Sequence, residues 1–546
     1  MKIRLYNIVF ACVVIAASLS CSESNEYYGA PPIRQPEPKE VEINGRVATE
    51  SGYPLAGVAV SDGITVVSTD TEGRFSFMSP LTMGYVFVST PDGYEPSQFL
   101  DNRPKFWQEV SRKECTGIEF KLRQIADKKP LSIIAIADPQ ISNRCGDVEL
   151  LRNFYVPEIN RAIDSLRTNG TSPIVLTLGD IICDWFVANG YGYTLDKFNS
   201  DFQVNAPVYH TMGNHDNDPF IAGDIAGSST WHKVNGPSYY SFNRGGAHFI
   251  SVDNIVYIND GAGNGVAGNR NCDTAIPEQQ LKWIAADLAT VQDKDAPLFI
   301  MMHGILLTYP VAEGQTVNKV YRFDDGGPQL GELLKDFTNV KVLSGHSHKS
   351  HFQHTPEGNI REYNYAGTNG GWWPAGFTPY KANFPVCFDG APWGMGIWDF
   401  SAGPQPSHLY KGYGSPTDFQ IRAYDLNKVV IDDRDITTSF LPGASGNSNV
   451  VMANVWAYEP GCTVKMFENG VELDVKRVKS VDPYLILKYI LPVKQEYGKM
   501  HSGIEPESTA HIFRAKASTS DAPVTIEFKD LYGRTYTTVL NRPADI

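Results

Sequence analysis

The sequence has no excess of basic residues, which argues against a nucleic-acid partner. Its 546 residues include 47 Lys and Arg against 61 Asp and Glu, a formal net charge of −14 at pH 7. Proteins that bind DNA or RNA take much of their affinity from basic side chains that neutralise phosphates. We therefore expect no nucleic-acid partner. Small phosphorylated substrates are not excluded, because bound metal ions can dominate the field of a local site.

Cysteine is scarce and is not spaced for metal binding. The chain has 8 cysteines, and no two of them form a CxxC pair. A zinc–cysteine site is therefore not expected. Some cysteines could form disulfides in an exported protein, and buried free thiols are the alternative.

Long apolar runs are absent beyond the first residues. The apolar stretch Ile8–Leu19 follows Lys2 and Arg4 and is too short for a permanent membrane helix. With Cys21 placed after small residues, it resembles a bacterial lipoprotein signal; ordinary secretion, with Cys21 incidental, is the alternative. The resemblance implies an exported protein, lipid-anchored through Cys21 to the outer membrane of a Gram-negative cell on its periplasmic or cell-surface face.

Length and composition predict several globular domains. At roughly 150 residues per domain the chain has room for two to four, and 42% hydrophobic with 20% charged residues suits buried cores. The predicted divisions are a signal peptide at 1–21, a linker at 22–39, an N-terminal β-sandwich domain at 40–125, an α/β domain at 131–375 and a C-terminal β domain at 380–546.

Hydrophobic periodicity sets the fold class. Apolar residues alternate in the N-terminal domain, as at Phe75 and Phe77, and in the C-terminal domain around Val464–Phe467, which predicts short antiparallel strands. The middle region alternates apolar runs with helical patterns such as Glu149–Leu166, which is typical of an α/β fold. Its clearest strand candidates are Ser132–Ala137, Ile174–Leu178, Leu298–Met302 and Val340–Leu343.

Five clusters of metal-ligand residues follow apolar runs of the middle region. They are Asp138-Pro139-Gln140, Gly179-Asp180, Gly213-Asn214-His215-Asp216, His303 and Gly345-His346-Ser347-His348. Open α/β sheets place their sites at strand ends. Without Asp216, the clusters supply two carboxylates, two amides and four imidazoles, enough for two divalent cations side by side.

The order of these clusters resembles that of the calcineurin-like metallophosphoesterases, in detail over about residues 131 to 370. The resemblance implies a β-sandwich core flanked by helices. The flanking regions look like the N- and C-terminal β domains of a bacterial exported branch of that family. Supporting features are Gly236–Phe242, His248–Ile250 and Asp389–Gly394.

The resemblance also implies a ligand set and a mechanism. The first metal would be held by Asp138, Gln140, Asp180 and His348, and the second by Asp180, Asn214, His303 and His346. A hydroxide shared by the two metals would attack phosphorus. His215 would act as general acid rather than as a ligand.

Two positions depart from the family pattern. Gln140 stands where most members have histidine, and its harder amide oxygen favours Mn²⁺ there, with Mn, Fe or Zn as the candidate metals. Cys183 stands where protein phosphatases of the family have the aspartate that orients the catalytic histidine. Asp184 or Asp216 could take that role, so Asp216 is grouped with His215 as a catalytic candidate.

Four further residues are candidate substrate contacts. Arg144 could touch a phosphate or be a solvated loop arginine. Asn369, Trp372 and Trp373 could form a wall for a sugar, nucleoside or lipid head group, or could contact the C-terminal domain.

The leading hypothesis is an exported, dimetal phosphoesterase that hydrolyses phosphomonoesters or phosphodiesters, acting on a small or a glycan- or lipid-linked substrate. The alternative is a non-catalytic cell-surface lipoprotein that binds glycan or protein and keeps a relic metal core.

Overall fold

The computed structural model describes most of the chain from residue 39 onward. The described residues are 39–126, 128–143, 146–183, 192–261, 272–309, 319–368, 386–431, 448–498 and 507–546. The predicted signal peptide with Cys21 lies outside them, as do Asp184, Arg144, Asn369, Trp372 and Trp373. Within the described ranges, no helix combines the length and apolarity that a membrane crossing requires.

The N-terminal region forms a β-sandwich, as its alternating pattern predicts. Two four-stranded sheets have the orders β4-β1-β8-β6 and β3-β2-β5-β7. Burial alternates strictly along β4, so Phe75 and Phe77 point into the sandwich while their neighbours face solvent. The strands are β1 (Val41–Thr49), β2 (Ala59–Ser61), β3 (Val66–Ser68), β4 (Arg74–Ser79), β5 (Tyr85–Val88), β6 (Tyr94–Pro96), β7 (Trp107–Glu109) and β8 (Ile118–Gln124).

The middle region is a mixed α/β unit built around two larger sheets. Their orders are β11-β10-β9-β20-β21 and β12-β13-β16-β17-β19-β18. The strands are β9 (Leu131–Ile136), β10 (Ser172–Leu178), β11 (Val208–Thr211), β12 (Tyr240–Arg244), β13 (Ala247–Ser251), β14 (Ile255–Tyr257), β15 (Cys272–Thr274), β16 (Leu298–Met301), β17 (Val340–Ser344), β18 (His351–His354), β19 (Ile360–Asn364), β20 (Gly394–Asp399) and β21 (Ser407–Gly412).

Both large sheets have parallel centres. Strands β9, β10 and β11 run parallel, as do β13, β16, β17 and β19. Every residue of β9 is buried, because parallel strands are covered on both faces and read as continuous apolar runs. Parallel neighbours also bring their carboxyl ends to one edge, which is where the candidate ligands follow.

Helices fill the connections of this unit. They are α1 (Asp147–Leu150), α2 (Val156–Thr168), α3 (Leu195–Asp201), α4 (Asp224–Gly227), α5 (Ser229–Asn235), α6 (Glu278–Leu288) and α7 (Gly327–Leu333). A π-helical segment, Leu151–Tyr155, joins α1 to α2. The buried face of α2, which includes Ile159, Ile163 and Leu166, packs on β9 and β10.

The C-terminal region forms a second antiparallel β unit with sheet orders β22-β23-β27-β26 and β25-β24-β28-β29. Its strands are β22 (Arg422–Asp425), β23 (Val450–Asn454), β24 (Thr463–Glu468), β25 (Val471–Glu472), β26 (Lys476–Ser480), β27 (Thr509–Lys516), β28 (Val524–Lys529) and β29 (Thr535–Leu540). The short helices α8 (Pro483–Leu485) and α9 (Leu491–Tyr497) flank a π-helical segment, Ile486–Ile490.

The sheet that contains β9 also includes strands beyond residue 375, where the sequence pattern places the end of the α/β domain. Strand β20 pairs antiparallel with β9, and β21 pairs with β20. Antiparallel edge strands are common on otherwise parallel sheets. Their alternating pattern looks like that of the antiparallel domain that follows, so periodicity alone groups them with it.

The N-terminal sandwich is tied to the central unit by buried hydrogen bonds. The Trp283 indole donates to Ser61 Oγ at 3.0 Å, and the Tyr239 hydroxyl donates to the Gly63 carbonyl at 2.6 Å. The N-terminal domain is thus docked against α6 and the start of β12.

Candidate metal centre

The candidate ligands converge because the strands before them end side by side. Asp138 follows β9, Asp180 follows β10 and Asn214 follows β11, all in one sheet. His303 follows β16 and His346 follows β17 in the other sheet. The structure brings these side chains from two sheets into one cluster, which is buried except at His346.

Five of the predicted ligands have left-handed backbone. The φ angles are 48° for Asp138, 42° for Gln140, 50° for Asp180, 68° for His346 and 54° for His348. Nine non-glycine residues of the described chain have positive φ, so most of this uncommon conformation is concentrated at one site. Such strain persists where surrounding contacts over-determine it, and it clusters at functional sites.

One group of ligand atoms gathers around Asp138. His348 Nε2 lies 3.3 Å from Asp138 Oδ1. The Gln140 amide nitrogen donates to Asp180 Oδ2 at 3.0 Å. The other atom of that amide, Oε1, is buried with no hydrogen-bond partner. A buried acceptor without a donor is costly, and a cation at this position would satisfy it.

A second group gathers around His303. Its Nε2 lies 2.9 Å from Asn214 Oδ1, 3.3 Å from Asp180 Oδ2 and 3.1 Å from His346 Nδ1. Ligand atoms of Asp180, His303 and His346 all lie within 4.8 Å of one another. Asp180 and His303 are buried and His346 is exposed, so this group opens to solvent on the His346 side.

Acidic groups of the cluster favour a proton on His303. Burial alone would lower the pKa of His303, but Asp180, Asp138 and the Leu178 carbonyl together outweigh burial and raise that pKa to about 10. Burial would raise the pKa of Asp180, yet His303 and His215 hold it well below its ordinary value. Protonated His303 thus supplies part of the positive charge that a metal cation would bring to the cluster.

The donor set fits divalent cations. The His303 Nδ1–H donates to the Leu178 carbonyl at 2.8 Å, which fixes the tautomer and leaves Nε2 as the ligand atom. Carboxylate, amide and imidazole donors together suit Mn²⁺, Fe or Zn²⁺. With the uncommitted Oε1 of Gln140, the clustered side chains fit the binding of divalent cations.

The glycines of the motifs leave room for the ligands. A Cβ on Gly213 would lie 2.2 Å from the Asp180 backbone nitrogen, and one on Gly345 would lie 2.5 Å from Asp138 Oδ2. Real Cβ atoms do not approach other atoms so closely. The Gly-Asn-His and Gly-His motifs therefore need glycine for contact with the neighbouring strand end.

Polar residues of β19 hold the ligand loops, and the sequence patterns do not single them out. Glu362 is fully buried and accepts from the backbone of Leu306 at 2.8 Å, from that of Leu307 at 2.7 Å and from Ser344 Oγ at 2.7 Å. Burial raises the pKa of Glu362 to about 7. Asn364 donates to the Gly345 carbonyl. Strand β19 also contains Arg361 and Asn364, so no apolar run in the sequence marks Glu362 as buried.

His215 is buried beside the Asp180 carboxylate. Its backbone N–H donates to Asp180 Oδ1 at 2.7 Å, and its Nε2 lies 3.9 Å from Asp180 Oδ2. Cys183 Sγ lies 3.9 Å from His215 Nδ1. Cys183 thus occupies the position on the imidazole that an orienting residue would take.

Asp216, the second catalytic candidate, binds backbone groups on two loops. Its two oxygens accept from the backbone nitrogens of Ile182 at 3.2 Å and Gly213 at 2.8 Å. Burial, reinforced by the Asp180 carboxylate, raises the pKa of Asp216 to about 8. Asp216 therefore braces the loop that carries Asn214 and His215. A role of Asp216 in catalysis stays a prediction.

Solved structures offer distant likenesses. They include GAP50, the anchor in the inner membrane complex of Plasmodium (11% identity, 52% of this chain, 85% of that chain, TM-score 0.31). They also include 5'-nucleotidase from Candida albicans (11%, 52% and 51%, TM-score 0.29) and phosphopantetheinyl hydrolase from Mycobacterium tuberculosis (11%, 44% and 91%, TM-score 0.23). Likeness at this level carries no argument about activity. Among curated proteins there is no match.

Sequence profiles of one protein family match the chain in three consecutive segments. Residues 131–350 match the calcineurin-like phosphoesterase profile. Residues 41–125 match the profile for the N terminal of calcineurin-like phosphoesterase, and residues 362–536 match that for its C terminal. The chain belongs to the calcineurin-like phosphoesterase family of metal-dependent phosphoric ester hydrolases and carries both the N-terminal and the C-terminal extension domains.

Proposed function

We propose that this phosphoesterase is an exported two-metal enzyme that hydrolyses phosphomonoesters or phosphodiesters. The observation that carries the proposal is the position of Asp180 between two groups of ligands. Its Oδ2 is 3.0 Å from Gln140 Nε2 on one side and 3.3 Å from His303 Nε2 on the other. A shared carboxylate allows two cations to sit about 3.5–4 Å apart despite their repulsion.

The ligand side chains divide between two cations. The first would be held by Asp138, Gln140, Asp180 and His348, and the second by Asp180, Asn214, His303 and His346. When bound, divalent cations supply positive charge to the phosphoryl oxygens and lower the pKa of coordinated water. The amide oxygen of Gln140 favours Mn²⁺ at the first position.

His215 is the proposed general acid. Its backbone N–H donates to Asp180 Oδ1, and its imidazole Nε2 lies 3.9 Å from Asp180 Oδ2, which places the ring beside the carboxylate that the two cations would share. From there a protonated imidazole would offset charge on the phosphoryl group and pass its proton to the leaving oxygen. Asp216 serves this role indirectly, by holding the loop.

Substrate contacts and export extend the proposal beyond the described residues. Arg144, Asn369, Trp372 and Trp373 are proposed to contact a small or a glycan- or lipid-linked phosphoester. Residues 1–21 support export with a lipid on Cys21. A non-catalytic protein with a relic metal core is not favoured, because Gln140, its main motivation, retains an uncommitted buried oxygen.

Hydrolysis of model esters tests the proposal. Protein lacking residues 1–21 should release p-nitrophenol from p-nitrophenyl phosphate or its bis ester when Mn²⁺ is added, and chelation should stop the release. His215→Asn should lower kcat by about 10²–10⁴, while His354→Asn, a half-buried histidine of β18, should retain wild-type activity. Failure to hydrolyse either ester, or full activity in His215→Asn, would refute the proposal.

A further inference from the structure

The loop that carries His346 and His348 continues directly into contacts with the C-terminal β domain. A short turn, residues 387–391, contacts both this loop and the C-terminal β domain. Within the turn, Asp389 Oδ2 accepts from the Ser350 backbone nitrogen at 2.7 Å, and Oδ1 accepts from the Ala391 backbone nitrogen at 3.0 Å. Asp389 thus binds the backbone two residues after a proposed metal ligand.

The C-terminal domain holds Asp389 from the other side. The His511 ring in β27 places Nε2 3.0 Å from Asp389 Oδ2 and Nδ1 2.7 Å from Asn454 Oδ1. The Asn454 amide nitrogen in turn donates to the Asp389 carbonyl at 2.9 Å and to Asp482 Oδ2 at 2.6 Å. Two strands of the C-terminal sheet and the residue before α8 therefore fix the position of one carboxylate.

Three consecutive residues of the loop contact side chains or backbone outside it. The His348 ring stacks on Phe388, with centroids 6.1 Å apart and planes 5° apart. Lys349 forms an ion pair with Glu507. The Ser350 hydroxyl donates to the carbonyl of Trp456 at 2.6 Å.

Burial strengthens the hydrogen bonds around Asp389. Asp389, Asn454, Asp482 and Ser350 are completely buried, and His511 is 5% exposed. Removal of one member of a buried charged network leaves its partners unsatisfied, at a cost well above that of a surface contact. The loop also has left-handed backbone at His346 and His348, a conformation that persists only where neighbouring structure enforces it.

We propose that Asp389 is a positioning residue for the metal centre, and that through His511 the C-terminal β domain holds the His346–His348 loop ready for metal binding. The inference rests on the proposed function, since it assigns His348 and His346 as ligands. It gives the extension domain a defined task at the site: it pre-orders a ligand loop.

Metal affinity and backbone exchange test this proposal directly. In metal-free protein, Asp389→Ala should increase hydrogen exchange at residues 346–352. It should also raise the Kd for Mn²⁺, measured by calorimetry, by about 10–100-fold, the usual effect of removing a group that orients a ligand. Excess Mn²⁺ should restore much of its kcat. If Asp389→Ala does not fold, Asp389→Asn should show the same changes to a smaller extent.

Glu468 offers a matched control. It is a buried carboxylate of β24 that accepts from the backbone nitrogens of Ser518 at 2.8 Å and Thr519 at 3.1 Å within the C-terminal domain. Glu468→Ala should lower thermal stability but leave exchange of residues 346–352 and the Mn²⁺ Kd unchanged. Wild-type Mn²⁺ affinity in both Asp389 variants, or an equal loss in Glu468→Ala, would overturn the inference while leaving the proposed function intact. Wild-type protein that binds no Mn²⁺ would overturn both.

Discussion

The side-chain amide of Gln140 is oriented by Asp180: its nitrogen donates to Asp180 Oδ2 at 3.0 Å, while its oxygen is buried without a partner. Imidazole is the usual group at this position in the family. Here the bridging carboxylate orients the amide and leaves its oxygen available. The departure from the family pattern is therefore compatible with metal binding and should change the metal preference.

Gln140→His should shift that preference. Imidazole is a softer ligand than an amide oxygen, so the variant should bind Zn²⁺ more tightly relative to Mn²⁺ than the wild type does. Competition calorimetry on metal-free protein measures the ratio of the two affinities. An unchanged ratio would mean that Gln140 does not coordinate the metal.

Gly213→Ala should damage the centre through steric contact alone. The new Cβ would lie 2.2 Å from the Asp180 nitrogen and 2.4 Å from its Oδ1, which should cost about 1–3 kcal/mol of stability and displace the bridging ligand. Denaturant unfolding and Mn²⁺ titration measure the two effects. Gly358→Ala, which has positive φ but no atom within 4 Å of a new Cβ, should lose stability without losing metal affinity. Equal metal affinity in the two variants would contradict the steric account.

Glu362 should make stability depend on pH. Below pH 4.5 the carboxyl is protonated in both the folded and the unfolded state. Its folded pKa is raised to about 7 by burial, so between these values the unfolded state ionises first and stability is lost as pH rises. Relative to Glu362→Gln, the wild type should lose about 3 kcal/mol of unfolding free energy between pH 4.5 and 8. Urea unfolding at several pH values tests this, and a difference that does not vary with pH would refute it.

Cys21→Ser should release the full-length protein from the membrane of a Gram-negative host, because the proposed lipid attaches to that thiol. Fractionation and immunoblotting should find the wild type with membranes and the variant in the soluble fraction. Cys12→Ser, within the same apolar stretch, should behave as wild type. Wild-type protein in the soluble fraction would support ordinary secretion instead.

Much of the fold, and the convergence of the candidate ligands, could be predicted from local sequence. Buried parallel strands appear as unbroken apolar runs, and ligands at their carboxyl ends follow from the α/β pattern. Thus Ile174–Leu178 predicted most of β10, and the Asp180 that follows it lies in the centre. Family resemblance supplied the division into two ligand sets, which local pattern alone does not give.

The remaining features depend on contacts between distant parts of the chain. Asp216 is turned toward Ile182 by the fold, and nothing in its neighbourhood along the sequence reports that direction. Strands β20 and β21 pair within the sheet that contains β9, although their alternating apolar pattern resembles that of the C-terminal β domain. Asp389 and His511 are 122 residues apart, so their link to the ligand loop is visible only in three dimensions.

Calorimetric titration of metal-free protein with Mn²⁺, comparing the wild type with Asp180→Asn, tests the central claim most directly. The account predicts two Mn²⁺ per wild-type chain and weakened binding at both positions in the variant, because Asp180 is shared. A wild-type chain that binds fewer than two Mn²⁺, or a variant that keeps either position at wild-type affinity, would contradict it.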